Sequence, residues 1–234
     1  FKTASDSGAA GYDRQSLDLM PAKNQKQTVA LKELRLLSQT FPGKAMVDFG
    51  TAEDTLIATL LSARTRDEQV ISVYPDLRKK FPTLQDLANA SWQEIATTIA
   101  RIGLYQNKAK AVKALAGMLL DQLKGRVPKT MEELILLPGV GRKTASCVLA
   151  YAFKIPAVAV DTHVFRIAHR LGWAKGGTPE IVEAELKELF PPTDWIEINR
   201  MGVKFGRTTC IPARPRCWQC PVRHLCPYEP KTPD

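Results

Sequence analysis

The chain has 234 residues, of which 44% are hydrophobic and 24% charged, enough apolar mass for one large or two small folded domains. It carries 33 Lys and Arg against 24 Asp and Glu, and the formal charge of +9 favours a polyanionic partner. No apolar run approaches membrane-spanning length, so we expect a soluble, intracellular protein.

The first residues, up to about Gln27, are rich in Ser, Gly, Ala, Asp and Lys and lack a sustained period, so we expect a flexible tail or a short packing arm over residues 1–27. After that point, apolar residues recur at helical spacing in a series of segments. These segments are 28–41, 53–62, 66–80, 107–123, 142–153, 162–171, 179–190 and 195–205.

Local start signals add detail to this helical pattern. Ser91–Glu94 and Thr130–Glu133 are capping boxes, and the first is expected to open a helix to about Ile102, while Thr51 and Thr83 are candidate N-caps. The only strand-like run, over 155–160, is too short and isolated to form a sheet. The sequence therefore predicts an all-α fold.

A tight turn in the middle of the chain is the first candidate site. A helix is expected to end near Leu136, and Gly139, Val140 and Gly141 form a turn before a new helix begins at about Arg142. Backbone N–H groups in the turn, the positive end of the new helix and the Arg142 side chain predict a grip on one phosphate. The alternative is a plain connector between two helices.

Lys143 lies in the first turn of that new helix, where the helix dipole disfavours an ammonium group. If its surroundings are also partly dry, its pKa falls and a free amine exists near neutral pH, as an amine nucleophile requires. The residue type alone leaves two roles open for Lys143, a nucleophile or one more phosphate contact.

Asp161 follows Lys143 by eighteen residues and is expected to cap the helix 162–171. A carboxylate fixed near Lys143 can also assist its deprotonation and stabilise positive charge on a sugar that is losing its base. His163 can donate to a phosphate, although a histidine at a helix start more often packs.

Four cysteines close to the C-terminus, Cys210, Cys217, Cys220 and Cys226, are separated by six, two and five residues. Pro and Arg fill the spaces, so the loop has too little apolar mass to hold itself together, and we expect a metal centre to tie it. Spacing leaves iron–sulfur and zinc both open. Disulfides are disfavoured, because no secretory signal is present and Cys147 has no evident partner.

The basic residues are concentrated in two parts of the chain. One set is Arg101, Lys108, Lys110, Lys113, Lys124, Arg126 and Lys129, and the other includes Arg200, Lys204, Arg207, Arg214, Arg216, Arg223 and Lys231. Two basic patches beside a metal loop favour nucleic acid over a generically soluble basic surface.

Together, the central turn, Lys143, Asp161 and the cysteine loop resemble the endonuclease III branch of the helix–hairpin–helix DNA glycosylases. The resemblance covers roughly Leu31 to Tyr228. It rests on Leu61-Ser62-Ala63, Ile102-Gly103-Leu104-Tyr105, Leu137 to Ala145, Val160 to His163 and the cysteine loop.

The resemblance implies two α-helical domains with duplex DNA bound in the cleft between them. One is a six-helix barrel with the helix–hairpin–helix, over about residues 45–155, and the other combines 28–44 with 156–234 and carries a [4Fe–4S] cluster on the four cysteines. In that family the cluster shapes a basic loop that touches the DNA backbone, which suits Arg214, Arg216 and Arg223.

The resemblance also implies the chemistry. Lys143 matches the family's Schiff-base lysine and Asp161 its catalytic aspartate, so we expect a monomeric glycosylase and lyase for oxidised pyrimidines. It would work in the bacterial cytoplasm on the nucleoid, or in the nucleus or mitochondrion of a eukaryote. After Leu-Ser-Ala the family usually carries a Gln that fills the gap left by the flipped base, whereas this chain has Arg64. Leu104 matches the family's second intercalating position or simply packs at a helix start.

Two other functions are compatible with these residues. The first is a non-enzymatic, cluster-bearing module in which the turn only grips phosphate, although phosphate gripping requires neither Lys143 nor Asp161. The second keeps the fold and is a monofunctional glycosylase for mismatched or alkylated bases.

Overall fold

The computed structural model describes residues 22–42 and 49–233. Within these ranges all regular secondary structure is helical, which confirms the predicted all-α class. The α-helices are α1 Ala22–Thr40, α2 Ala52–Leu61, α3 Asp67–Lys80, α4 Leu84–Asn89, α5 Trp92–Thr98, α6 Tyr105–Leu123, α7 Met131–Leu134, α8 Arg142–Cys147, α9 Thr162–Arg170, α10 Pro179–Leu189 and α11 Trp195–Thr208. A π-helical turn, Val148–Ala152, continues α8, and 3₁₀ turns occupy Pro192–Asp194 and Cys217–Gln219.

The predicted capping residues start their helices. Thr51, Thr83 and Ser91 each accept a hydrogen bond from a backbone N–H in the first turn of the helix that follows. Thr130 accepts from the N–H of Glu133 at 3.3 Å, but the Glu133 carboxylate takes its bond from the Thr130 hydroxyl, so this box is half formed. α5 ends at Thr98, earlier than expected.

The first hydrophobic core is built around α2 and draws on residues from Leu56 to Ala157. Every residue of α2 from Thr55 to Leu61 is buried, so this helix is surrounded on all sides rather than amphipathic. Helices α3, α6 and α8 and the π-helical turn pack against it, and α4 and α5 pack on α6. The predicted turn before α8 is therefore anchored on the central helix of this core.

The second hydrophobic core combines α1 with α9, α10 and α11. The side-chain amine of Lys26 donates to the carbonyl oxygen of Trp173 at 3.1 Å, and the Gln27 amide donates to that of Leu189 at 3.0 Å. The expectation of a flexible tail is therefore wrong for residues 22–27, which are helical and held by bonds to distant backbone. Residues 1–21 lie outside the described residues.

The chain passes from the first core to the second between Ala157 and Val158. The division into a six-helix barrel over 45–155 and a second domain of 28–44 plus 156–234 stays a prediction, which the two cores support; residues 43–48 lie outside the described ranges. None of the helices described is long and apolar enough to cross a membrane. The two cores face each other across the segment that leads to Asp161.

Candidate functional site

A cleft of about 1000 Å³ lies between the two cores. Thr59 and Lys143 line it from the first core, and Asp161 lines it from the segment that enters the second. The guanidinium of Arg207, on α11, lies 3.0 Å from the carboxylate of Asp67 at the start of α3, so an ion pair joins the two sides. The cleft is thus bounded by elements of both cores and carries charged side chains in its lining.

The cleft brings some of the predicted site residues together and leaves others out. Its lining includes Lys143, Asp161, His163 and Arg64. The lining does not include Leu104, Gly139, Val140, Gly141, Arg142, Arg214, Arg216 or the four cysteines. The two residues predicted to carry chemistry therefore share one concave site.

The turn before α8 has the geometry that its glycines suggest. Gly139 has φ +75°, which favours glycine, and a Cβ there would lie 2.9 Å from the Cβ of Ala111 and 3.0 Å from a methyl carbon of Leu60. Val140 is buried and its N–H donates to the carbonyl of Leu137 at 3.0 Å. Gly139 is thus needed for packing and for the turn; the phosphate grip by 139–141 stays a prediction.

Arg142 is bound differently from the sequence expectation. Its Nε donates to one carboxylate oxygen of Glu183 at 2.6 Å and its Nη2 to the other at 3.1 Å, forming a two-point pair between α8 and α10. Glu183 is buried and also pairs with Lys187. In this structure Arg142 therefore ties the two cores together, and its role as a phosphate contact stays a prediction.

Lys143 projects into the cleft one helical turn before the buried thiol of Cys147. The pKa of Lys143 is raised above its ordinary value, first by the sulfur of Cys147 and then by the carboxylates of Asp161 and Asp67, while burial acts in the opposite direction. Burial raises the pKa of the Cys147 thiol, and the neighbouring charge of Lys143 acts in the opposite direction on it. The expectation of a lowered pKa is wrong.

Asp161 caps α9 as predicted. Its Oδ1 accepts hydrogen bonds from the backbone N–H of His163 at 2.9 Å and of Val164 at 2.8 Å. Both cap bonds use the same oxygen, so neither uses Oδ2. The cap fixes the carboxylate at the cleft wall and leaves its second oxygen outside these two bonds.

His163 connects the cleft with the cysteine loop. Its Nδ1 lies 3.2 Å from the guanidinium of Arg166, which also donates to the carbonyl oxygens of Gly206 at 2.9 Å and of Cys210 at 3.0 Å. Burial lowers the pKa of His163. The residue is half-buried and packed against this arginine, so its phosphate role stays a prediction.

The four cysteines of the C-terminal loop are free thiols that line one pocket. The guanidinium of Arg170 donates to the sulfur of Cys210 at 3.4 Å, and the hydroxyl of Thr232 donates to that of Cys217 at 3.7 Å. Burial raises the pKa of Cys220 to about 11, so a bound cation is needed to hold this group as a thiolate. Across the described residues, no three His, Cys, Asp or Glu side chains form the compact group that a single metal ion needs.

The two candidate wedge residues lie on exposed loops at the edge of the first core. Arg64 has φ +53° and Leu104 has φ +58°, a backbone region that residues other than glycine rarely adopt. Leu104 is 54% exposed. Their roles in DNA stay predictions, as do those of Arg214 and Arg216, which are exposed on the cysteine loop.

The first predicted basic patch is less extensive than its sequence suggests. Lys108 is buried, and its amine bonds to the hydroxyl of Thr65. The amine of Lys113 donates to the carbonyls of Ala88 and Ala90, each at 2.6 Å. These lysines tie loops together within the first core instead of adding to a surface charge.

Sequence reasoning missed a buried polar pair beside the cleft. The hydroxyl of Tyr151 donates to the side-chain oxygen of Asn199, and the Asn199 amide donates to the carbonyl of Ala159 at 2.9 Å. All three residues are buried. They link the π-helical turn after α8, α11 and the segment leading to Asp161. Local patterns carry no signal of such a contact, because its members lie far apart in the chain.

Comparison with known proteins decides the family. The model of the HhH-GPD superfamily base excision DNA repair proteins matches residues 57–192, which hold the hairpin, Lys143 and Asp161. The endonuclease III of Thermotoga maritima is 45% identical over 173 residues, 74% of this chain and 81% of that protein. The chain belongs to the endonuclease III family.

Solved structures of endonuclease III have the same architecture. A trapped endonuclease III–DNA covalent intermediate, an estranged-adenine complex, matches with a TM-score of 0.82 at 37% identity, over 89% of this chain and 97% of that one. A thermostable thymine-DNA glycosylase matches with a TM-score of 0.78 at 27% identity, over 89% and 98%. The resemblance read from the sequence is therefore confirmed, and as an endonuclease III family member the chain is a DNA glycosylase/AP lyase-type enzyme of base excision repair.

Proposed function

We propose that this chain is a bifunctional DNA glycosylase and AP lyase that removes oxidised pyrimidines from duplex DNA. The observation that carries the proposal is the placement of Lys143 and Asp161 on one cleft, each supplied by a different core. An amine nucleophile and a fixed carboxylate are what imine chemistry at a sugar carbon requires, whereas phosphate gripping requires neither.

The first step is proton loss from Lys143. Because its pKa is raised by Cys147, Asp161 and Asp67, the group rests as an ammonium and must be deprotonated before attack. The oxygen of Asp161 that is outside the cap bonds is the candidate to accept this proton. A damaged base costs less to unpair, so the nucleotide that leaves the stack is selected in part by its damage.

Bond formation then follows in the cleft. The amine of Lys143 bonds to C1′ of the sugar as the bond to the base breaks, and the base leaves with the electron pair and takes up a proton. The Asp161 carboxylate stabilises the positive charge that develops on the sugar. The bound nitrogen then loses a proton, the C1′–O4′ bond breaks and O4′ takes up a proton, so the product is an imine between Lys143 and the opened sugar.

Strand cleavage uses the same imine. The imine acidifies the protons on C2′; loss of one forms a C2′–C3′ double bond and breaks the C3′–O bond, so the 3′ phosphate leaves. Water then hydrolyses the imine and restores the Lys143 amine. Since Lys143 enters every covalent step, its removal abolishes both activities while DNA binding is retained.

We also infer that Cys210, Cys217, Cys220 and Cys226 hold a [4Fe–4S] cluster. The four cysteines line one pocket, and four cysteine thiolates are the ligand set that would hold such a cluster. When bound, the cluster supplies structural order to the loop. The chain's own Arg170 braces the loop by bonds to the carbonyls of Ile211 at 2.7 Å and Pro212 at 2.6 Å. Arg214 and Arg216 on this loop then face the DNA backbone.

Borohydride trapping tests the proposal, because reduction of the imine leaves a covalent protein–DNA adduct. Wild type, Lys143→Ala and Lys204→Ala are compared on duplexes that carry thymine glycol or an abasic site. Lys204 is the matched control, since it is a second lysine in the cleft lining, with its amine 2.8 Å from the carbonyl of Pro42.

Wild type and Lys204→Ala are expected to form adducts with both duplexes, and Lys143→Ala with neither. Adducts on the abasic site alone would retain the lyase and overturn the lesion preference. Tight binding without any adduct would favour the non-catalytic module, and base release without an adduct would favour a monofunctional glycosylase. Monomeric action and a location with the genome remain predictions.

A further inference from the structure

Two loops that carry the candidate wedge residues lie side by side at the edge of the first core. One joins α2 to α3 and contains Arg64, and the other joins α5 to α6 and contains Leu104. The hydroxyl oxygen of Thr65 lies 3.5 Å from the carbonyl oxygen of Gly103, and a Cβ on Gly103 would lie 3.8 Å from the carbonyl oxygen of Arg64. The loops are therefore in direct contact, and their conformations depend on each other.

Both wedge residues have an unfavourable backbone conformation. Among the described residues other than glycine, positive φ occurs at Arg64, Leu104, Lys124 and Lys154. Such a residue persists only where its surroundings hold it in place. The side chains of Arg64 and Leu104 are both exposed, so their own packing does not supply that restraint.

Lys108 contacts both loops. It lies on α6, and its backbone N–H donates to the carbonyl oxygen of Leu104 at 3.1 Å. Its side-chain amine bonds to the hydroxyl of Thr65, the residue that follows Arg64. Lys108 is only 6% exposed, which is unusual for a lysine, and burial lowers its pKa to about 8.

We propose that Lys108 is a positioning residue that holds Arg64 and Leu104 in the conformation in which both enter the DNA duplex. The proposal rests on the proposed function, because a wedge is useful only to an enzyme that takes a nucleotide out of the stack. It also predicts where Lys108 is not needed. A single-stranded substrate has no partner strand to separate and no gap to fill, so imine formation there does not use the wedge.

The test compares one reaction on two substrates. Lys108→Met removes the amine and retains the length of the side chain, and Thr65→Val removes the hydroxyl and retains the shape. Each is assayed by single-turnover borohydride trapping on a thymine glycol duplex and on a single-stranded oligonucleotide with an abasic site. Lys110→Met is the matched control, because Lys110 is on the same helix but lies over the ring of Trp92, 4.7 Å from its centroid.

We expect Lys108→Met and Thr65→Val to slow the duplex reaction about tenfold or more and to leave the single-strand reaction within about twofold of wild type. The double variant should be no slower than the slower single variant, because both changes remove the same contact, between the Lys108 amine and the Thr65 hydroxyl. Lys110→Met should react like wild type on both substrates. A fluorescent base opposite an abasic site, bound in the Lys143→Ala background, should report less unstacking when Lys108→Met is added.

Equal slowing on both substrates would overturn the proposal, because it would indicate general damage to the fold. Unchanged duplex rates in Lys108→Met and Thr65→Val, or equal slowing by Lys110→Met, would overturn it as well. If wild type reacts with the single-stranded substrate, these outcomes leave the proposed function intact. If wild type forms no imine on either substrate, the proposed function fails and the wedge proposal fails with it.

Discussion

Replacing Asp161 by asparagine or by alanine separates its observed role as a helix cap from its proposed role in the reaction. Both cap bonds, from the N–H groups of His163 and Val164, go to Oδ1. Asp161→Asn retains an oxygen acceptor for the cap and removes the charge, whereas Asp161→Ala removes both. We therefore expect stability to depend on the cap and the proposed chemical step to depend on the charge.

The expected magnitudes differ enough to be measured. Loss of an N-cap costs about 1 kcal/mol, which corresponds to about 2–4 °C in melting temperature for a chain of this size. Asn caps about as well as Asp, so Asp161→Asn should melt within about 1 °C of wild type. Loss of the charge should slow imine formation about 100- to 1000-fold in both variants.

The assays are thermal melting and single-turnover trapping on an abasic duplex across a range of pH. In wild type the rate should rise with pH, because the raised pKa of Lys143 keeps the amine protonated at neutral pH. After Cys147, the Asp161 carboxylate contributes to the raised pKa of Lys143. This pKa should therefore be lower in Asp161→Asn, and the increase in rate should occur at lower pH. If Asp161→Asn reacts at the wild-type rate while Asp161→Ala is slow, the charge has no role and the reasoning is refuted.

Three further changes test other parts of the structure. Burial raises the pKa of Glu33 to about 7. Between pH 4.5 and about pH 7 the folded protein therefore holds a proton that the unfolded chain releases, so the stability of wild type falls as pH rises. Between melts at about pH 5 and about pH 8, wild type should lose up to about 3 kcal/mol of stability, and Glu33→Gln should not. The same loss in both proteins would contradict the raised pKa of Glu33. Gly139→Ala places a methyl group 2.9 Å from the Cβ of Ala111, at a residue with positive φ. It should lower the free energy of unfolding, measured in urea, by about 1 kcal/mol or more. An unchanged urea midpoint would argue against the turn geometry. Arg142→Gln should lower the free energy of unfolding by about 1–3 kcal/mol, because it breaks the pair with Glu183. We expect the salt dependence of DNA binding to stay unchanged. A plot of log affinity against log salt whose slope is reduced by about one would identify Arg142 as a phosphate contact.

Local features of the fold could be predicted from the sequence. The capping residues Thr83 and Ser91 act within three residues of the helices that they start, so their signal is complete in a short window. The start of α1 could not be read this way. Lys26 bonds to the carbonyl of Trp173, 147 residues away, and no local period encodes that contact.

The candidate site was predictable in its residues and less so in its electrostatics. The hairpin motif and the resemblance pointed to Lys143 and Asp161, which share the cleft. The helix dipole at Lys143 predicted a lowered pKa, but the pKa is raised, first by Cys147 and then by Asp161 and Asp67, which arrive from other elements. The sequence around Arg142 predicted a phosphate contact and gave no sign of its pair with Glu183, because Glu183 lies 41 residues further along the chain.

Lys108 shows the same limit for a single side chain. A lysine in a basic stretch indicates a charged surface, and this expectation holds for most lysines. Here the packing of α6 against the loop that holds Thr65 places the amine inside the protein. Burial is decided by which elements meet, and the sequence near Lys108 does not state that.

Because α1 belongs to the second core, the first described helix to be synthesised is among the last to be packed. Its partners Leu171 and Trp173 emerge from the ribosome more than a hundred residues later, on the order of ten seconds at cellular translation rates. The first core, complete by Ala157, can close in the meantime. Asp161 reaches its place only when the second core docks, so a partly made chain carries the lysine of the site without its carboxylate. The proposed nucleophile is therefore made early, and the complete site forms late, after the helices of the second core have been synthesised.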